Sequence, residues 1–345
     1  MASPRRLNQD EATVRSILID LGLTENEADV YLSLIEHGSM SAGDMLRNLN
    51  LRQPQLYDIT SSLERKGFIN AVEGRPKRFE AIRPEAILLA REETLRRNRD
   101  FFLSWARAKE GAEYIQPALI NARNFKAVIN NAIQVVLDAR HSVYVESTPD
   151  ILDEIAPVLG LAMSRGVRVT VLLFSHTPLL ELQQKVRSQF RDLRTVHPGQ
   201  FFTVIGDDRQ SVFMPRSVAL GRDGSRYGYV FRDRDMSWFL VHNYFNAWYR
   251  ATRINVSSGP AGKVYYSHRL AINDIMEYGL NGRSAVLTGV MRESGKSVTM
   301  EGRILSFTVS EDIVNFTFSS GDEKYTVGGY DSQVEDIEMV ALEVL

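Results

Sequence analysis

Residues 39–83 read SMSAGDMLRNLNLRQPQLYDITSSLERKGFINAVEGRPKRFEAIR, and the punctuation of this stretch decides the N-terminal fold. Ser41 is placed to cap a short helix with Asp44 at its third position, and Met45, Leu46 and Leu49 supply its apolar contacts. Asn50-Leu51 makes a turn. Pro54 suits a first helical turn, where its missing N–H has no bond to lose. Leu56, Ile59 and Leu63 then share one face until Lys66-Gly67 stops the helix. Residues 68–72, a turn at Glu73-Gly74-Arg75-Pro76 and residues 77–82 form a hairpin in which Phe79 and Ala81 alternate with polar neighbours. Upstream, residues 10–36 give two helices parted at Gly22. Thr24 and Glu27 form a capping box, Ala28, Tyr31, Leu32 and Ile35 line one face, and His37-Gly38 predicts a left-handed glycine cap. Helix, helix, short helix, helix and a basic-tipped hairpin is the order of a winged helix-turn-helix, which sets a recognition helix in the major groove of double-stranded DNA.

The polar side of the last helix supplies the candidate DNA contacts Arg52, Gln53, Gln55, Tyr57, Ser61 and Arg65, and the wing adds Arg75, Lys77 and Arg78. Gln pairs bidentately with adenine and Arg with guanine, while Lys and Arg seek phosphate. Charge is polarised to match. The net formal charge of the whole chain is −2, but residues 65–83 hold six basic and two acidic residues, whereas residues 293–345 hold three basic and eleven acidic. The phosphate-seeking surface therefore lies near the N-terminus, although a charge cluster by itself also suits a plain solvated face.

With 345 residues the chain is too long for one ordinary core, so two or three domains are expected. It has no cysteine, which excludes disulfides, cysteine-ligated metal and a thiol nucleophile. No apolar run reaches the roughly 18 residues of a membrane span and the first residues are too polar for a signal peptide, so a soluble cytoplasmic protein is expected. Arg83-Pro84 marks a boundary, followed by one long charged helix to Glu113 in which Leu88, Leu95 and Phe102 repeat every seven residues, with Trp105 beyond. That spacing suits either a short coiled-coil seam between subunits or a surface helix packed on its own domain. The paired half-sites read by helix-turn-helix proteins favour the seam, hence a homodimer through residues 84–110. From residue 121 to about 253 strands alternate with helices, as in an α/β sandwich. After a short helix at residues 272–278 the chain is strand-rich with Gly, Ser and Asp turns, a small all-β unit.

These segments resemble the archaeal TrmB family of sugar-specific transcription regulators. LGLTENEADVYLSLIEHG, LYDITSSLERKGFI and GRPKRFEAIRPE are similar to its winged-helix domain. SRGVRVTVLLF and residues 233–249 look like its central domain, related to the phospholipase-D fold, and EGRILSFTV with VGGYDSQVEDIEM looks like its C-terminal β domain. The resemblance implies a multidomain α/β chain: a winged helix-turn-helix (1–83), a helical coiled-coil linker (84–118), a phospholipase-D-like sensor domain (119–258) and a small all-β effector-binding domain (259–345). It further implies a dimer on palindromic promoter DNA that answers to a sugar lodged between the last two domains. Gly329 and Glu335 match a backbone contact and a carboxylate for sugar hydroxyls; Ser237 and Asn315 match further polar contacts. A carboxylate takes two hydroxyls in charge-assisted bonds, and glycine lets backbone approach a ring. Taken without the resemblance, Gly328-Gly329 reads as a tight turn, Glu335 as a solvated charge and Trp238 as a core residue.

Enzymatic readings fare worse. Phospholipase-D chemistry uses a histidine nucleophile in HxK, and none of the six histidines is followed two residues later by lysine. No histidine pair has the spacing of a local metal site, and Asp207-Asp208 suits an acidic turn between strands. No cofactor is expected. An effector-independent, DNA-coating protein of the same family is the alternative, against which the VGGYDSQVE segment argues.

Overall fold

The computed structural model describes residues 4–49, 51–107, 118–174, 188–221, 226–255, 264–310, 313–330 and 332–345, which group into two compact units, 1–113 and 114–345. In the first unit, α1 (Pro4–Asp20) and α2 (Glu25–His37) precede β1 (Met40–Ser41), α3 (Ala42–Asn48) and α4 (Gln53–Lys66). β2 (Ile69–Val72), β3 (Arg78–Ala81) and α5 (Pro84–Arg107) follow. Both expected capping boxes form, Thr24 with Glu27 and Ser41 with Asp44. Gly67 takes the left-handed cap of α4, at φ 76° and ψ 32°. Gly38 does not: its φ of 74° is positive but its ψ of −149° is extended, because the chain runs straight into β1. β1 pairs with β3, which pairs with β2, so the hairpin is a three-stranded wing. Leu34, Met45, Leu56, Leu63 and Phe68 are fully buried between these elements, while Tyr31 stacks edge-on against Phe68 and donates its hydroxyl to the Ile82 carbonyl. Lys66 reaches back to Glu27 at 2.7 Å, tying α4 to the start of α2. The last part of the helix expected to reach Glu113 lies outside the described residues. Within α5, Ile87 is buried, whereas Leu95 is 71% and Phe102 61% exposed.

The second unit opens with β4 (Ala118–Ala122), α6 (Phe125–Asp138), β5 (Ser142–Ser147), α7 (Pro149–Ser164), β6 (Arg168–Leu173), β7 (Asp192–Thr195), β8 (Phe201–Gly206) and β9 (Gln210–Pro215). α8 (Arg216–Ala219), β10 (Gly228–Arg232), α9 (Arg234–Arg250) and β11 (Thr252–Asn255) complete an eight-stranded sheet of order β11-β7-β6-β5-β8-β9-β10-β4. β5, β6 and β7 are parallel neighbours and the remaining pairs are antiparallel. Side chains two apart on a strand share a face. Val143 and Val145 of β5 therefore enter one core under α6 and α7, while Tyr144 enters another under α9.

That second core does not stop at the sheet. It runs on through α10 (His268–Tyr278) into β13 (Ser284–Met291), β14 (Ser297–Val309), β15 (Val314–Ser320), β16 (Glu323–Gly328) and β17 (Ile337–Val344), with β12 (Val264–Tyr265) on the edge. β16 and β17 pair in parallel, Val327 opposite Ile337, which closes the five long strands into a barrel. The C-terminal part is thus not an all-β body. α10 starts one turn earlier than its periodicity suggests, and its far side is bound to the central sheet by buried ions. Arg168 of β6 forks onto Asp274 at 2.7 and 2.8 Å, and Arg194 of β7 pairs with Glu277 and stacks on Trp248. The short helix expected at residues 272–278 is the common wall of two sheets.

Candidate functional site

Two surfaces hold the residues singled out in the sequence. On α4, Leu56 and Leu63 face inward, so Gln53, Gln55, Tyr57, Ser61 and Arg65 are exposed by geometry. Gln55 is partly committed: its side-chain oxygen accepts the Arg52 N–H at 3.1 Å, so it caps the helix it was expected to project from. Arg75 and Lys77 are exposed at the wing, with the Lys77 ammonium 5.5 Å from the Phe79 ring centre. Arg78 is exposed as well, and it also bonds within the fold. Its guanidinium donates to the Ser39 carbonyl and hydroxyl and lies 3.9 Å from Asp44, fastening β3 to the start of α3.

Asn315, Gly329 and Glu335, expected to meet an effector, sit where α9, the first turn of α10, β15 and the loop after β16 converge. Glu335 is buried, and Asn315 of β15 approaches its carboxylate at 3.4 Å. The loop is braced from outside: Arg292 donates to the carbonyls of Glu335 (2.9 Å) and Gln333 (2.8 Å). Asp336 accepts the Thr326 N–H and hydroxyl, both at 2.7 Å, bonds that hold its carboxyl below the usual range. Gly328 and Gly329 are required by crowding rather than by a turn. A methyl at Gly329 would stand 2.6 Å from the Trp238 ring and 2.9 Å from His268 Nδ1; one at Gly328 would stand 2.8 Å from the Glu335 carboxylate.

Ser237 is fully buried and bonded to the Ser211 hydroxyl at 3.0 Å, and its neighbour Trp238 is half-buried against Gly329 and edge-on to Tyr330. The Arg234 guanidinium lies over the Tyr330 ring, 3.7 Å from its centre. Asp207-Asp208 form the β8–β9 turn, both with positive φ; Asp207 accepts the backbone N–H groups of Arg140, His141 and Ser142. Burial pushes the Asp208 carboxyl up to about 6. His268 and Arg269 at the head of α10 had no signal in the sequence, since nothing local reveals that a His-Arg pair will be buried.

Three family descriptions match consecutive segments: sugar-specific transcriptional regulator TrmB over residues 18–85, the N-terminal EBD subdomain of TrmB over 118–255, and the C-terminal EBD subdomain of TrmB and TrmBL1 over 262–345. The chain belongs to the TrmB family. Over 341 residues it is 24% identical to the HTH-type sugar sensing transcriptional regulator TrmBL1 of Pyrococcus furiosus, a match covering 95% of this chain and 97% of that TrmB relative. Among solved structures it is similar to TrmBL2, described as an archaeal chromatin protein with a novel mode of DNA binding (17% identity, 70% of this chain and 99% of that one, TM-score 0.35). Another is the phospholipase D family member Nuc of Salmonella typhimurium (14% identity, 41% and 99%, TM-score 0.33). Among the described residues no helix is long and apolar enough to cross a membrane.

Proposed function

We infer that this protein is a sugar-responsive DNA-binding transcription regulator, in which α4 and the wing read promoter DNA and the cluster around Glu335 receives the sugar. The observation that carries it is the joint presence, on one TrmB chain, of an exposed polar helix on a winged-helix scaffold and a braced, buried carboxylate beside an indole. The central sheet, of phospholipase-D type without HxK, serves as a sensor scaffold rather than a catalyst. α5 presents Leu88, Leu95, Phe102 and Trp105 to a second copy as a coiled-coil seam, giving a homodimer that spans two half-sites.

The DNA half is tested by operator titrations at several salt concentrations. Gln53→Ala should relax sequence preference, removing a discrimination of about 1–3 kcal/mol at the base it reads. Arg75→Ala with Lys77→Ala should weaken binding to every sequence and reduce the slope of affinity against salt by about one phosphate per residue. Unchanged affinity and slope in a variant lacking all three side chains would remove α4 and the wing from the interface. The sugar half is tested by calorimetry. Glu335→Gln keeps the shape of the side chain but loses charge-assisted bonds, so effector binding should weaken by about one to two orders of magnitude, with DNA affinity in the absence of sugar unaltered. A Gln variant that binds the effector as tightly as the parent refutes this site.

A further inference from the structure

Buried polar atoms lacking a well-formed hydrogen bond are concentrated at the head of α10. Five of them belong to three consecutive residues: the Ser267 hydroxyl, both ring nitrogens of His268, and Nε and Nη1 of Arg269. His268 is 4% and Arg269 5% exposed. Their nearest protein partners, the Val314 backbone for His268, Tyr249 for Arg269, and Tyr144 and Asp208 for Ser267, are close enough to act electrostatically but form no well-aligned bond with these atoms, and buried polar atoms so placed are costly. Their surroundings are those of the effector site. His268 Nδ1 lies on Gly329, the Arg269 guanidinium stands 5.8 Å from the Trp238 ring centre, and Arg269 is within electrostatic range of Glu335 and Asp208. Its Nη2 is engaged with His242 Nδ1 at 2.6 Å, which fixes the plane, and Tyr249 is a second polar neighbour, while Nε and Nη1 have no well-aligned acceptor.

We propose that His268 and Arg269 are ligand-binding residues of the effector site, and that together with Glu335 they select a neutral polyhydroxy ligand lying against Trp238. The proposal rests on the effector reading given above and assigns it two further residues and a ligand charge. Burial, reinforced by the neighbouring Arg269, pushes His268 down to about 3, so its ring is a neutral imidazole with one donor and one acceptor nitrogen. A hydroxyl both donates and accepts. One class of ligand therefore satisfies the Glu335 carboxylate, the Arg269 donors and the two-faced imidazole at once. An anionic ligand brings its charge against Glu335 and Asp208, and a cationic one against Arg269, each at the cost of burying like charges together.

The test is calorimetry on the full chain with neutral mono- and disaccharides beside glucose 6-phosphate and glucuronate. His268→Leu and Arg269→Met should each weaken binding of the preferred neutral sugar about ten- to a hundredfold, and His268→Gln, which keeps a donor and an acceptor, should recover part of the loss. Because these positions are buried, a second measurement needs no Leu or Met variant: the 15N imidazole resonances of His268, assigned by their disappearance in His268→Gln, should shift on saturation with that sugar. Variants that bind like the parent, or unmoved resonances, overturn the proposal and leave the effector reading intact. Tighter binding of the phosphorylated or carboxylated sugar overturns the ligand charge. A parent that binds none of the panel overturns the effector reading and this proposal with it.

Discussion

Asp274→Ala should lower the stability of the 114–345 unit by about 3–5 kcal/mol, the effect of removing one partner from a buried ion pair. Asp274 is fully buried and takes four bonds: two from the Arg168 fork, one from the Tyr265 hydroxyl at 2.8 Å and one from the Asn273 amide at 3.1 Å. Its loss strands all four donors where water cannot replace it. Arg168 keeps Asp192 at 3.1 Å, which places the expected value toward the lower end of that range. The consequence reaches the site, because the same helix that carries Asp274 begins with His268 and Arg269. Denaturant unfolding in a Trp105→Phe background, where only Trp238 and Trp248 report, isolates this unit from the N-terminal one. A loss below about 1 kcal/mol, the value of an ordinary exposed pair, would mean that the Arg168–Asp274 fork does not hold α10 to the sheet.

The second large effect concerns assembly. In the described part of α5, Leu88, Leu95 and Phe102 are exposed along a seven-residue repeat and Phe102 stacks on Trp105. Such a row gains by burial against its copy, about 25 cal/mol for each Å² removed from water. Leu95→Asp with Phe102→Asp sets two carboxylates from each chain into that seam, where charge is costly to bury. Sedimentation should then show monomer. Since two linked reading heads gain about 10²–10⁴ in apparent affinity over one, operator binding should fall by that order. A double variant that remains dimeric returns α5 to the role of a surface helix.

What could be read beforehand follows the range of the interactions concerned. Capping boxes, helix stops and the alternation of Phe79 and Ala81 are local, and the winged-helix unit was legible from them. β1, two residues long, was not, because it exists only by pairing with β3 some forty positions away. β4, β7 and β11 were missed for the same reason: they are short strands at or near the sheet edges. At the candidate site, Asn315 and Glu335, both expected from the resemblance, lie 3.4 Å apart, and Gly328, next to Gly329, packs on the same carboxylate. The burial of Ser237 against Ser211 was not legible, because a resemblance does not say which side chain of α9 turns to the core. That Arg78 and Gln55, expected as DNA contacts, also bond Ser39 and the Arg52 N–H within the fold was not legible. His268 and Arg269 were illegible because a buried cation and a buried imidazole are defined only by what packs over them.

The central claim is that sugar and DNA are linked through this one chain, and linkage makes it measurable without knowing the direction of the response. A sugar that alters operator affinity by some factor must itself bind the operator complex and the free protein with affinities differing by the same factor. The direct test is calorimetric titration of the preferred neutral sugar into the protein alone and into its operator complex. It is paired with operator titrations at zero and saturating sugar. The account predicts two unequal sugar affinities whose ratio, about 5- to 150-fold in systems of this kind, equals the change in operator affinity. Equal sugar affinity with and without operator would show a protein that binds sugar and DNA independently, and would contradict it.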